Sequence, residues 1–154
     1  MTQYPVLAID YGQKHFGIAV SDSKGIIASP LEVISITKNK TQEDIITQII
    51  EISNEYRIKT ILLGYPQAFT ENQTKTQKKI DRFRTKLSEK TSLPILLYDE
   101  SFSTTSAQNM LISSGQATKH FRGKIDKIAA TVFLQEFLNS EHQKTDRSEE
   151  HTSE

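Results

Sequence analysis

Between Thr41 and Asp99 the chain alternates amphipathic helix with short apolar runs, and this alternation restricts its fold more than any other feature. Thr41-Gln-Glu-Asp44 offers a Thr N-cap with an acid at the third helical position, and Ile45, Ile49, Ile52 and Tyr56 recur at helical spacing. Lys59 to Gly64 is a compact apolar run. Ile80, Phe83 and Leu87 then mark one face of a basic helix, and Leu93 to Asp99 forms another apolar run. Strand, helix, strand, helix, strand implies parallel pairing through right-handed crossovers.

Upstream, Pro5 to Asp10 reads as a strand buried on both faces, ending in a carboxylate and a turn at Gly12. His15 to Ser21 and Ile26 to Ile34 follow too closely for crossovers and read as an antiparallel meander. Downstream, a third helix is expected from the Ser103 cluster to Gly115, carrying Ala107, Met110 and Leu111. A fourth is expected from Ile125 to Leu138, with Ile128, Ala129, Val132 and Phe133 facing the core. The expected fold is α/β: a mixed sheet with helices on both faces, in one domain over residues 1–139.

Residues 140–154 hold five acids and two bases with no apolar anchor, and read as a disordered tail. Within it, Arg147 to Glu154 (RSEEHTSE) resembles the in-frame translation of a common sequencing-adapter oligonucleotide. It is a candidate read-through and is set aside from the fold.

Composition excludes several chemistries. The absence of cysteine removes disulfides, thiol catalysis and Cys-ligated zinc. His15, His120 and His142 lack metal-ligand spacing. No apolar run approaches the roughly 18 residues of a membrane span, and the first residues do not read as a signal peptide, so a cytoplasmic protein with no membrane partner is expected. Nineteen bases balance nineteen acids, yet residues 75–90 carry seven bases and two acids, and residues 119–127 carry four bases and one acid. Two basic blocks of this kind suit a phosphate-rich partner, although a charge run is more often a solvated face.

In open sheets, ligands bind at the carboxyl ends of parallel strands. Asp10 ends the first strand, and Asp99 with Glu100 ends the fifth, so all three fall at one edge. Asp126, at the start of the last helix, could join them over the sheet. Converging carboxylates repel unless a divalent cation lies between them, and oxygen-only donors favour Mg2+ or Mn2+. Each acid also has an ordinary role as a turn former or helix cap. If the strand continues, Asp99 and Glu100 alternate, so only one faces the site. Gly12 either passes beneath a phosphate or shapes a hairpin, and Tyr65 either stacks on a base or packs on a loop. The remaining candidates for substrate contact are Lys14, Lys78, Lys79, Arg82, Lys119, Arg122 and Lys124.

Five ordered blocks carry a family resemblance: Leu7 to Asp22 (LAIDYGQKHFGIAVSD), Gly25 to Leu31, Ile61 to Pro66 (ILLGYP), Tyr98 to Thr105 (YDESFSTT) and Lys124 to Ala130 (KIDKIAA). They resemble the YqgF family of pre-16S rRNA nucleases and Holliday junction resolvase-like proteins over residues 5 to 139. The resemblance implies an RNase H-like fold with sheet order 3-2-1-4-5, and a metal-dependent nuclease that matures the 5′ end of 16S rRNA on the ribosomal precursor particle. Asp10, Glu100 and Asp126 match the family's catalytic acids, which implies hydrolysis by a metal-activated water with no covalent intermediate.

Three departures stand out. Ser101 replaces the Arg of the family's Asp-Glu-Arg motif, His15 stands where a second base often follows Lys14, and Gln67 to Thr74 replaces a glycine-containing loop. All three acids remain. Two other readings stay open: a resolvase of branched DNA, which needs two sites and hence a homodimer rather than a monomer, and an RNA-binding ribosome-assembly factor without catalysis. A phosphotransferase of the sugar kinase type would need a second domain and a second phosphate loop, which the length does not supply.

Overall fold

The computed structural model describes residues 2–65, 75–99 and 122–152, with the side chains of the last stretch described over 128–143. The elements are β1 (Val6–Asp10), β2 (His15–Ser21), β3 (Ala28–Ser35), α1 (Gln42–Glu55), β4 (Thr60–Tyr65), α2 (Lys75–Lys90), β5 (Ile95–Asp99) and α3 (Arg122–Thr152). The sheet order is β3-β2-β1-β4-β5. β1 pairs antiparallel with β2 and parallel with β4, and β4 pairs parallel with β5. This is the expected 3-2-1-4-5 sheet. The expected helix from Ser103 to Gly115 lies outside the described residues.

Side-chain alternation along the strands divides the core between the two faces of the sheet. Leu7 and Ile9 of β1, Phe16 and Ile18 of β2, and Ile61 and Leu63 of β4 join α1 and α2 in one cluster. Val6, Ala8, Ala19 and Leu62 join Ala130, Phe133, Leu134, Phe137 and Leu138 of α3 in the other. All five β1 residues are buried, because β1 is bonded on both edges and covered on both faces.

Local chemistry sets the element ends. Thr41 caps α1 in a reciprocal box: its hydroxyl accepts from the Asp44 amide, while the Asp44 carboxylate accepts from the Thr41 amide at 2.8 Å. Tyr56 is the C-cap of α1 and is 42% exposed, so it lies outside the core stripe expected for it. β3 begins two residues later than expected. The Asp22 carboxylate accepts from the amides of Ile26 (2.7 Å) and Ile27 (3.0 Å), which draws both residues into the turn with their side chains exposed.

The last helix departs most from expectation. It continues through Thr152 instead of ending at Leu138. No Gly or Pro interrupts residues 124–152, and the polar residues after Leu138 include several good helix formers. Contacts with the body of the fold also pass residue 139: the His142 ring lies 2.8 Å from the Gly25 carbonyl and stacks on Tyr4. On α3 the buried positions are Ala129, Ala130, Phe133, Leu134, Phe137 and Leu138, whereas Ile128 and Val132 are only half-buried.

Candidate active site

Asp10 is the last residue of the central strand and is only 9% exposed. Alternation places it on the α3 face, because Ala8 packs there while Leu7 and Ile9 pack against α1 and α2. Its partner across the β1–β2 ladder is Gly17, whose missing side chain leaves that position uncrowded. The strand exit is held rigidly. The Tyr11 ring meets Phe16 edge-on at 5.1 Å and Phe83 at 5.4 Å, and burial raises its hydroxyl pKa against a lesser opposing effect of a hydrogen bond with Gln42. Tyr11 thus pins the residue after Asp10 to the opposite face, a function that the sequence reading missed. Its signal was an aromatic residue inside Asp10-Tyr-Gly12.

Gly12 has a steric requirement of its own: a Cβ there would collide with the His15 backbone carbonyl. Lys14 is exposed in the same turn, with its backbone carbonyl accepting from the Ile36 amide at 2.8 Å. His15 Nδ1 lies 2.7 Å from Ser35 Oγ, away from any carboxylate cluster.

The register separates Asp99 from Asp10. Ile9 aligns with Leu63, and Leu63 with Leu97, so Tyr98 is the β5 residue level with Asp10. Tyr98 lies on the α3 face, stacked on Phe133 at 5.8 Å and edge-on to Phe137 at 6.1 Å, and its hydroxyl donates to Glu136 at 3.3 Å. Burial, then the Glu136 charge, raise its pKa. Asp99, one residue on, therefore shares the opposite face with Ile95 and is exposed. Tyr65 is level with Asp99, packs against the α1/α2 core and donates to Asp81 at 3.5 Å, so it too stands on the face away from Asp10. Lys78, Lys79 and Arg82 are exposed on α2, whose buried residues Ile80, Phe83 and Leu87 pack on that same face. The structure therefore does not bring these residues alongside Asp10.

Asp126, Arg122 and Lys124 lie in the first turns of α3, while Glu100 and Lys119 fall outside the described residues. Among the described residues no three His, Asp or Glu side chains form a metal-binding group. Among the described residues the donors at this edge are oxygen-only, which suits a hard divalent cation: the chain has no cysteine, and His15 and His142 are engaged elsewhere. Asp10 fits as one ligand. No helix among the described residues is long and apolar enough to cross a membrane.

A 3-2-1-4-5 sheet with an acid closing its central strand and a long C-terminal helix over that acid's face is the architecture of the RNase H-like nucleases. Its likeness to solved structures agrees: the Thermus thermophilus RuvC complex with a Holliday junction substrate aligns with a TM-score of 0.56 at 15% identity, covering 90% of this chain and 96% of that one. The chain belongs to the RuvX family, described as Holliday junction resolvase, whose model matches residues 4–140. Among curated relatives, a Geobacillus kaustophilus protein named "Putative pre-16S rRNA nuclease" is 38% identical over 134 residues, covering 87% of this chain and 96% of its own length. A Rickettsia typhi protein of the same name is 38% identical over 136 residues, covering 88% and 85%.

Proposed function

We propose that this protein is a Mg2+- or Mn2+-dependent nuclease that hydrolyses phosphodiester bonds of the 16S rRNA precursor, acting on the ribosomal precursor particle, with Asp10, Glu100 and Asp126 as its catalytic acids. The observation that carries the reading is Asp10, nearly buried at the end of the central strand and turned toward α3. A carboxylate in that position offers hard oxygen donors of the kind a divalent cation takes.

The α3 register supports Asp126 as the second ligand. It precedes Ala130, Phe133 and Phe137, which pack on the sheet, by four, seven and eleven positions. Gln135 clamps Ala28, which is level with Ser21 at the start of β1. From there to Asp10 the strand rises about 13 Å, and nine helical residues back from Gln135 to Asp126 rise about the same. Asp99 lies on the far face, which leaves Glu100 as the candidate third ligand.

When bound, the cation supplies an activated water and stabilises the leaving oxygen. The chain's part is to hold the three carboxylates oriented toward it. Lys14, exposed beside the site, and the basic first turns of α3, with Arg122 and Lys124, would contact flanking phosphates.

The test is cleavage of a 16S precursor transcript by the full chain. Wild type cuts with Mg2+ or Mn2+ and stops in EDTA. Asp10→Asn loses at least about a hundredfold in rate, the scale of other essential charge-stabilising groups, while keeping its unfolding midpoint. Equal cutting by wild type and variant would refute the assignment. The description of the matched family favours a second reading, a resolvase of branched DNA. This reading expects symmetric incision of a four-way junction and a dimer on size-exclusion chromatography. A monomer that leaves junctions intact eliminates it.

A further inference from the structure

Helix α2 carries a charge pattern that the site on the other face does not use. Lys75, Lys79, Arg82, Lys86 and Lys90 follow one another at intervals of three or four residues, which places them in a single row along the helix. All five are exposed, clear of the buried stripe formed by Gln77, Ile80, Phe83 and Leu87. The helix has two acids, and one of them, Asp81, is half-buried and accepts from the Tyr65 hydroxyl. Glu89 is the other.

The row extends about 22 Å at 1.5 Å per residue, a length over which a double helix presents about 13 backbone charges. Proteins that bind single strands generally stack bases on exposed aromatic rings. The outer side of α2 has none, since its one aromatic residue, Phe83, is fully buried. We infer that α2 is a phosphate-binding rail for a double-helical segment of the nucleic acid, lying on the sheet face opposite Asp10. The inference rests on the nuclease reading and extends it: Tyr65, the last residue of β4, donates to Asp81 of α2, so a substrate held by the rail reaches Asp10 by passing over the carboxyl edge of the sheet.

Binding in EDTA separates the rail from the chemistry. The probe is a fluorescent RNA hairpin duplex, read by anisotropy over a salt series, with the full chain. The five contacts of the rail contribute about −4.5 to the slope of log K against log salt. Lys79→Gln/Arg82→Gln/Lys86→Gln shallows the slope by about 2.7 and weakens binding at least about tenfold at moderate salt. The charge-matched control Lys24→Gln/Lys38→Gln/Lys59→Gln, also at exposed positions, keeps the wild-type slope. Equal slopes for wild type and the α2 variant overturn the rail but leave cleavage by wild type, and so the nuclease reading, intact. An equal fall in slope for the control overturns the rail in favour of net charge. A loss confined to a single-stranded probe overturns the duplex assignment. Failure of wild type to cut with metal, with the slope difference present, overturns the nuclease reading alone.

Discussion

Strand β2 presents Phe16 and Ile18 to one face of the sheet, and Gly17 and Ala19 to the other. β1 repeats the contrast with Leu7 and Ile9 against Ala8 and Asp10. On the α1/α2 face, large side chains from both layers interlock, and the ring trio Tyr11, Phe16 and Phe83 ties β1, β2 and α2 together. On the α3 face Ala8, Gly17 and Ala19 are small beside Val6, Leu62 and Tyr98, and much of the bulk comes from the helix, through Phe133, Leu134, Phe137 and Leu138. Helix-to-sheet spacing depends on the side chains between them, so small strand residues let α3 lie close. One face is organised for stability, and the other for bringing a helix near a carboxylate.

The largest expected effect lies on the interlocked face. Phe83→Ala removes a fully buried ring from the trio and lowers unfolding free energy by about 3–5 kcal/mol in urea titration. Residual folded protein should cut normally, and a specific activity that falls with stability intact would break the division between the faces. Next comes Ala19→Leu, which overpacks the space beneath α3 at a cost of about 1–3 kcal/mol. It should also reduce cleavage per folded molecule, because the helix is displaced; unchanged specific activity would show that the spacing of α3 does not matter.

The smallest effect is a response to acid on both sides of the sheet. Asp22 is held below the usual carboxylate range first by the Ile27 amide and also by that of Ile26, and Asp44 first by the Thr41 amide. A depressed folded pKa adds stability above the unfolded value, and that contribution is lost as pH falls through the folded one. Urea midpoints should therefore drop below about pH 4. Asp22→Asn and Asp44→Asn should each make the acid limb shallower while lowering stability at neutral pH. An acid limb that both substitutions leave unchanged would place its cause elsewhere.

The elements legible in the sequence were those whose pattern is local. The apolar runs of β1 and β4 and the Thr41–Asp44 box announce themselves within a few residues. Ile26 and Ile27 misled because they look like strand residues, whereas one carboxylate upstream captures both their amides. The length of α3 was hidden because its extension has no apolar periodicity. At the site, Asp10 was legible as a strand-ending acid. That Tyr65 and Asp99 turn away from it depends on the register between β4 and β5, which no single segment encodes.

β1 is bonded along both edges and buried throughout. Amides in such a strand exchange with solvent only when the whole molecule opens, whereas edge strands and helix ends open in smaller excursions. Asp10 therefore hangs from the part of the protein that unravels last. Partial openings at the rim would leave Asp10 in place, and reclosure would find it still in position.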